Sequence, residues 1–267
     1  MSLFHLTILA IVQGLTEFLP ISSSAHLVLL PMVTGTPDQG LAIDVAVHVG
    51  TLGAVLLFFR REVASLFRGA GHSLAGRFAT ADARLLFLLA IATVPVVVFG
   101  LILHITGLAE AMRSLAVIGW TIFGFGLLLY WADQHGPTER RSEDWNLRDA
   151  VIMGLWQAVA LIPGTSRAGI TITASRMLGY RREDGARIAM LMSIPAILAS
   201  GVLLAGDALG EADWQLLRDG AIGAALAFVT AYLALALMMK LLRSHSYTPF
   251  VIYRVVLGLI ILFFAYS

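Results

Sequence analysis

Two apolar stretches of the chain are each broken at a proline followed by small, hydroxyl-rich sequence that carries ionisable groups. They are Gln13 to His26 (QGLTEFLPISSSAH) and Pro163 to Gly169 (PGTSRAG). Glu17, His26 and Arg167 stand where an apolar run would place leucine. An ionisable group in hydrocarbon is costly unless it faces another such group or water, so each marks a functional site by default. A carboxylate, an imidazole, a guanidinium and several hydroxyls in one such chain point to phosphate chemistry.

Gln13 and Glu17 are four residues apart and share a helix face just before Pro20. A carboxylate and an amide oxygen there can hold a divalent cation, which takes hard oxygen ligands and bridges to substrate phosphate. The alternative is that Glu17 only caps or hydrogen-bonds the turn. Ser22, Ser23 and Ser24 open the next segment, where serine is a good N-cap and a helix N-terminus binds anions. His26, within one turn, can deprotonate a serine or attack phosphorus itself. Thr165 and Ser166 open the second interrupted segment, with Arg167 in its first turn. Guanidinium is the best bidentate phosphate partner, and helix N–H groups add to it. In an empty site Arg167 can instead pair with Glu17 and neutralise both. Arg254 is a second intramembrane cation, which either pairs with a carboxylate or extends the positive field. His48, with Asp44 at i−4, has at most a supporting role. His5, His72, His104, His135 and His245 lie near segment ends or loops and carry no assignment.

Composition agrees that these groups sit in a membrane. Of 267 residues 58% are hydrophobic and only 13% charged, and mean hydropathy is +0.85. Repeated apolar runs near 20 residues are transmembrane helices. The net charge of +1 gives no hint of nucleic acid. With no cysteine, disulfides, thiolate nucleophiles and zinc–thiolate sites are excluded. The N-terminus lacks a basic region and a cleavage site and reads as mature structure rather than a signal peptide.

Apolar runs read against Pro, Gly and charge breaks predict ten helices, at 3–18, 22–33, 41–60, 83–105, 112–131, 148–161, 166–179, 185–205, 216–241 and 249–266. The third, fourth, fifth, eighth, ninth and tenth are long enough to cross ~30 Å of hydrocarbon. The first two and the sixth and seventh are short pairs joined at Pro20 and Pro163. Each pair is expected to be a hairpin that enters the bilayer and returns, since irregular backbone at that depth must be buried in protein or line a cavity.

Charge placement fits this plan. Arg60, Arg61, Arg68, Arg77, Arg84, Arg140, Arg141, Arg148, Arg176, Arg181, Arg182, Arg187, Lys240 and Arg243 flank one set of connections, fourteen of the 18 basic residues. The segments assigned to the other side, 34–40, 106–113 and 206–218, hold only Arg113 and Arg218, beside Asp38, Glu110, Asp207, Glu211 and Asp213. The positive-inside rule makes the first set cytoplasmic. The count works only if the second short pair returns to the side it left. The N-terminus then lies outside, and the two hairpins dip from opposite faces. The halves, approximately 1–133 and 146–267, have opposite orientation, the inverted-repeat plan of one membrane domain. A weak echo of Gln13, Pro20 and Ser-Ser-Ala in Gln157, Pro163 and Thr-Ser-Arg-Ala agrees. The fold expected is an all-α polytopic membrane protein with six spans and two re-entrant hairpins.

Taken together, the motifs resemble the undecaprenyl pyrophosphate phosphatase family, the integral-membrane type linked to bacitracin resistance. QGLTEFLPISSSAH is similar to its (E/Q)xxxE-FLP-x-SS-x-x-H signature and PGTSRAGITIT to PGxSRSGxT. The likeness continues through DVAVHVGTLGAVLLFFRRE, LMSIPAIL and PFVIYR, essentially the whole chain. The resemblance implies removal of the terminal phosphate of undecaprenyl pyrophosphate, which regenerates the carrier for peptidoglycan and other envelope polymers. It implies metal-linked positions at Glu17 and Gln13, nucleophile or acid/base roles for Ser23 and His26, and phosphate binding by Ser166, Arg167 and Thr171. Three positions depart from the pattern: Gln13 replaces a glutamate found in many members, Ala25 a usual glycine, and Ala168 the serine after the motif arginine.

The expected reading is therefore a bacterial inner-membrane phosphatase with an outward-facing site. Arg167, Ser166, Thr165 and Ser22 would bind the pyrophosphate, and Mg²⁺ or Ca²⁺ held at Glu17 would offset its charge. Ser23 would attack with His26 as base, or His26 directly. Partners are the polyprenyl lipid and the bilayer, with no nucleic acid; a homodimer is left open. The rival reading is a transporter of a lipid phosphate, since inverted repeats with broken helices are also transporter architecture.

Overall fold

Each of the ten expected segments contains a helix in the structure, a computed structural model that describes residues 2–35, 39–108, 112–208 and 214–267. Asp38, Glu110, Glu211 and Asp213, and the Asp207 side chain, lie outside the described residues. The helices are α1 (Leu3–Glu17), α2 (Ser23–Thr34), α3 (Leu41–Phe58), α4 (Arg60–Leu74), α5 (Ala81–Thr106), α6 (Leu115–His135), α7 (Leu147–Val159), α8 (Arg167–Met177), α9 (Arg182–Ala208), α10 (Trp214–Leu241) and α11 (Thr248–Tyr266). The expected count of ten is corrected to eleven among the described residues. The addition, α4, is rich in arginine and amphipathic, so a search for apolar runs passes over it.

Capping sets several boundaries. Thr80 accepts from Ala83 N and starts α5, and Ser114 accepts from Val117 N and starts α6 three residues later than the apolar run implies. α3, α5, α6, α9, α10 and α11 are long and apolar enough to cross a membrane. The helices that flank Pro20 and Pro163 are not. They have 15, 12, 13 and 11 residues, and at ~1.5 Å per residue none spans the hydrocarbon.

Helices pack chiefly in the pairs α3 with α10, α6 with α11, α1 with α10, and α5 with α7. Apolar burial between helices gains little when lipid is the alternative, so small residues that let backbones approach carry the contacts. A Cβ on Gly154 would lie 2.6 Å from the Ala92 carbonyl oxygen, and one on Gly258 would lie 3.0 Å from Phe123 N. Neither crossing admits a larger residue.

On the arginine-rich side, buried ion pairs fasten the helix ends. Asp133 at the end of α6 accepts from Arg176 Nε (3.2 Å), Arg182 Nε (2.7 Å) and Tyr247 N (3.1 Å). Asp149 accepts from Arg140 and from the Tyr180 hydroxyl at 2.5 Å. Burial, with the Asp149 carboxylate beside it, pushes the Tyr180 phenol far above its ordinary range and keeps it a neutral donor.

Arg254 on α11 holds both interrupted segments together. It is fully buried and, among the described residues, meets no carboxylate. Its guanidinium donates to Pro20 O (3.2 Å), Gly164 O (3.3 Å), Thr165 O (3.0 Å), Ile122 O (3.0 Å) and Thr121 O (3.3 Å). The sequence offered a carboxylate pair or an extension of the positive field for this cation; in place of a carboxylate the structure gives carbonyls, and the charge stays beside both turns. Pro20, Gly164 and Thr165 lie in the two turns, outside any helix ladder, and a buried carbonyl without a donor costs ~1–3 kcal/mol. Arg254→Met is expected to lower stability by about 3 kcal/mol or more, read as the thermal unfolding midpoint in detergent. A midpoint equal to wild type would show that the clamp is dispensable.

Candidate active site

Glu17 is the last residue of α1, Ser23 the first of α2, and Arg167 the first of α8. Each chemical group therefore sits at a helix end beside one of the two breaks. Glu17 is buried and gathers donors from its own helix and from two others. Arg167 Nη2 donates to its Oε1. Oε2 accepts from Gln13 Nε2 at 2.9 Å and Ser23 Oγ at 2.7 Å, with His48 Nε2 3.7 Å away. A carboxylate at a helix C-terminus faces the negative end of the dipole, so the Arg167 cation and these neutral donors are what allow it there.

On this hub the buried Arg167 Nη1 and Gln13 Oε1 have no hydrogen-bond partner, and neither have Thr165 Oγ1 and Gln157 Oε1 elsewhere in the interior. Unpartnered buried groups are scarce in folded proteins. Arg167 thus spends one nitrogen on Glu17 and keeps another donor for an arriving anion.

The hub opens on a cavity of about 620 Å³. Glu17, Ser22, Ser23, Ser24, Ser166 and Arg167 form its polar end, and Val45, Val49, Val96, Leu161 and Leu198 form an aliphatic wall. Gln39 and Arg113, in two of the arginine-poor connections, also line it, with Leu41 at the start of α3 and Val202 in the last turns of α9.

The structure brings Glu17, Ser22, Ser23, Ser166 and Arg167 together on this cavity, with Gln13 reaching it through Glu17. The other expected residues lie elsewhere. Thr171 turns its hydroxyl back onto Arg167 O (2.8 Å), and Thr165 is buried and does not line the cavity. His26 sits 2.7 Å by Nδ1 from Ser22 O and 2.6 Å by Nε2 from the Tyr253 hydroxyl, and its ring stacks on Tyr253. A carbonyl only accepts, so Nδ1 carries the proton and both ring nitrogens are engaged away from Ser23. Ser23 donates to Glu17, not to His26. Sequence reasoning did not foresee the Tyr253 contact or the approach of His48 to Glu17. For His48 a signal existed, an ionisable residue within a membrane span. Ala25 and Ala168, the small departures from the family pattern, are buried in apolar clusters.

Both breaks place their cap residue in an unusual backbone. Ser22 has φ 76° and ψ 92°, Ser166 φ 70° and ψ 114°, and no other described non-glycine residue has positive φ. Each such residue costs about 1–3 kcal/mol, and strain of this kind concentrates where geometry serves function. Ser166 recovers part of it, since its Oγ accepts from Gly169 N at 3.1 Å. Ser22 makes no capping bond.

Fold and site define a class: a polytopic helical membrane protein with a buried carboxylate, hydroxyl and guanidinium site at the head of an aliphatic cavity. The chain belongs to the bacitracin resistance protein BacA family, whose model matches residues 6–260. Proteins called undecaprenyl-diphosphatase from a Jannaschia species and from Roseobacter denitrificans are 63% and 62% identical to it over 267 residues, covering 100% of this chain and of each relative. One of the same name from Alcanivorax borkumensis is 47% identical over 266 residues, 98% of this chain and 99% of its own.

Replacing the strained serine without a cap tests the strain. Ser22→Gly is expected to stabilise the protein by about 1 kcal/mol in detergent unfolding while lowering turnover. Equal or lower stability would mean that the positive φ carries no strain.

Proposed function

We propose that this chain hydrolyses undecaprenyl pyrophosphate to undecaprenyl phosphate and inorganic phosphate in the bacterial inner membrane, recycling the carrier of envelope polymers. The observation that carries the reading is the unpartnered Arg167 Nη1 beside a carboxylate-bound Ser23, at the polar end of an aliphatic cavity. Anion donor, nucleophile and prenyl-compatible wall occur in one space. The relatives' name, undecaprenyl-diphosphatase, describes the same reaction and supports the reading.

The chemistry follows from the contacts. Arg167 and the first-turn N–H groups of α2 and α8 seat the pyrophosphate. Ser23 Oγ attacks the terminal phosphorus, and its proton passes to Glu17 Oε2, to which it is already hydrogen-bonded. The bond to the bridging oxygen breaks, and undecaprenyl phosphate leaves as a phosphate dianion that needs no proton. Water then cleaves the Ser23 phosphate while Glu17 returns the proton to Oγ. His26, bound to the Ser22 carbonyl, fixes the start of α2 and so the seating of Ser23.

A divalent cation, Mg²⁺ or Ca²⁺, fits this set of donors. Gln13 Oε1 is a buried acceptor without a donor, and Glu17 lies beside it. Among the described residues no three His, Asp or Glu side chains converge, so Gln13 and Glu17 would leave most coordination to water and substrate oxygens, as Mg²⁺ accepts. Bound there, the ion would offset pyrophosphate charge.

The short helices flanking Pro20 and Pro163 are re-entrant hairpins, since none is long enough to cross and the breaks line a cavity. The packing supports an inverted repeat. Exchanging α1, α2, α3, α5 and α6 for α7, α8, α9, α10 and α11 turns the α1–α10 contact into α7–α5, maps α1–α2 onto α7–α8, and maps α3–α9 and α6–α11 onto themselves; all of these occur. The cavity is lined by helix ends next to the arginine-poor connections, which supports a site open to the periplasm.

Purified protein in detergent, given undecaprenyl pyrophosphate and Mg²⁺, is expected to release inorganic phosphate; a transporter would release none. Ser23→Ala and Arg167→Ala are each expected to cost about 10²-fold or more. His26→Ala, though slower, should still carry trapped phosphate on Ser23. Wild-type turnover in Ser23→Ala, with none in His26→Ala, would make the histidine the nucleophile. Gln13→Glu puts a second carboxylate against Glu17, and the repulsion is relieved by a cation. That variant should reach half-maximal activity at lower Mg²⁺ and lose more activity to chelator. An unchanged Mg²⁺ titration would place the ion elsewhere.

A further inference from the structure

Spacing alone gives His48 a supporting role beside Asp44, but the structure turns it into the cavity. Its Nδ1 lies 2.7 Å from the Asp44 carbonyl oxygen one turn earlier on α3. A carbonyl cannot donate, so Nδ1 carries the hydrogen and the neutral ring presents the Nε2 lone pair. Nε2 lies 3.7 Å from Glu17 Oε2. That is too long for a direct hydrogen bond, and a water seated to one side of the pair can contact both atoms.

A water beside both atoms would donate one hydrogen to Nε2 and, while Glu17 is ionised, the other to Oε2; once Glu17 carries the Ser23 proton, that second hydrogen is free. Its oxygen lone pairs would then point away from both, toward whatever lies beside Glu17. Ser23 lies there, with Oγ 2.7 Å from the same carboxylate oxygen. Glu17, Ser23 and His48 line one cavity. His26 cannot take this part, because both of its nitrogens are engaged and it does not line the cavity. The other charged groups on the wall are Asp44, whose Oδ1 accepts from Gln39 Nε2 at 2.9 Å, Arg113 and Arg167.

We propose that His48 is a catalytic residue of the second half-reaction: beside Glu17, it holds and orients the water that hydrolyses the phosphate on Ser23. The proposal rests on the serine-phosphate reading above. The water oxygen bonds to phosphorus as the P–Oγ bond breaks. Glu17 returns its proton to Oγ. One water hydrogen stays on the new oxygen and the other moves to a phosphoryl oxygen, so phosphate leaves as the monoanion and His48 stays neutral throughout. His48 therefore acts as an acceptor of fixed direction, and an amide oxygen of similar reach can replace it.

Rapid-quench turnover of substrate labelled on the terminal phosphate tests this in the purified full-length protein. His48→Ala is expected to lower kcat about 10²-fold, the scale of a misplaced reactant. The label should accumulate on the protein, and undecaprenyl phosphate should appear as a burst near one equivalent per enzyme. His48→Gln should keep turnover within about five-fold of wild type, since an acceptor in place retains the orientation. His48→Asn, whose amide is one carbon shorter, should behave like alanine, and the Gln and Asn pair carries the test if the alanine variant fails to fold. Unchanged kcat in His48→Ala overturns the proposal. So does slow turnover without trapped label, which would mean that His48 acts by disturbing Glu17 in both half-reactions. Equal failure of Gln and Ala overturns it as well. Ser23→Ala separates the two levels: if that variant still turns over at the wild-type rate, the serine-phosphate reading itself falls and takes the role of His48 with it.

Discussion

Glu17 is a buried carboxylate at the end of a short helix, and the rest of the architecture answers that fact. A lone charge in a low-dielectric interior costs several kcal/mol even after relaxation, and only a partner with good geometry recovers it. The partner is Arg167, 150 residues away in sequence. For the two to meet, α1 must stop at Glu17 and α8 must begin at Arg167, each short of crossing, and the two ends must lie against each other. The prolines at 20 and 163 supply the stops. The ion pair supplies the reason for both stops to occur at one place.

A second cation keeps that meeting point stiff. Arg254 reaches across from α11 and binds turn carbonyls of both breaks, so neither turn can move without leaving carbonyls unsatisfied. Stiffness explains how Ser22 and Ser166 are held at positive φ, a conformation that would relax in a free loop. The strain in turn sets where α2 and α8 begin, and so where Ser23 Oγ and the Arg167 guanidinium point. The site is pre-formed by carbonyl bonds behind it, leaving the side chains in front free to meet substrate.

Much of this was legible in the sequence. The six spans follow from apolar length, and the two breaks from proline beside Ser and Thr. Glu17, Ser23 and Arg167 stand out as polar groups in hydrocarbon, and their convergence follows from the charge count. What was not legible depends on side-chain direction. His26 and Ser23 lie within one helical turn, which invites a dyad, yet the ring swings to the Ser22 carbonyl and Tyr253, 227 residues on. Thr171 belongs to the motif, but its hydroxyl satisfies its own helix. Arg254 was visible as a buried cation, whereas its partners are backbone atoms that no residue type announces. α4 escaped because a polar, amphipathic helix leaves no apolar run.

The charge of the site bears on what it can accept. Glu17 and Arg167 cancel, and Gln13 brings no charge where many family members carry glutamate. The remaining positive influence comes from Arg254 behind the two turns, the N-terminal ends of α2 and α8, and Arg113 on the cavity wall, which Asp44 on the same wall opposes. A pyrophosphate adds negative charges that these do not fully offset in a low dielectric. It must therefore displace Arg167 from Glu17, bring a cation, or both. Displacing Arg167 alone would leave the carboxylate bare beside an anion, which is the worse arrangement. In the proposed mechanism Ser23 would resolve part of the conflict, because its proton would neutralise Glu17 as Oγ bonds to phosphorus. Arg167 would then be released from Glu17 to the phosphoryl group. The same carboxylate that pairs with Arg167 in the empty site would thus, once protonated, hand its partner to the substrate.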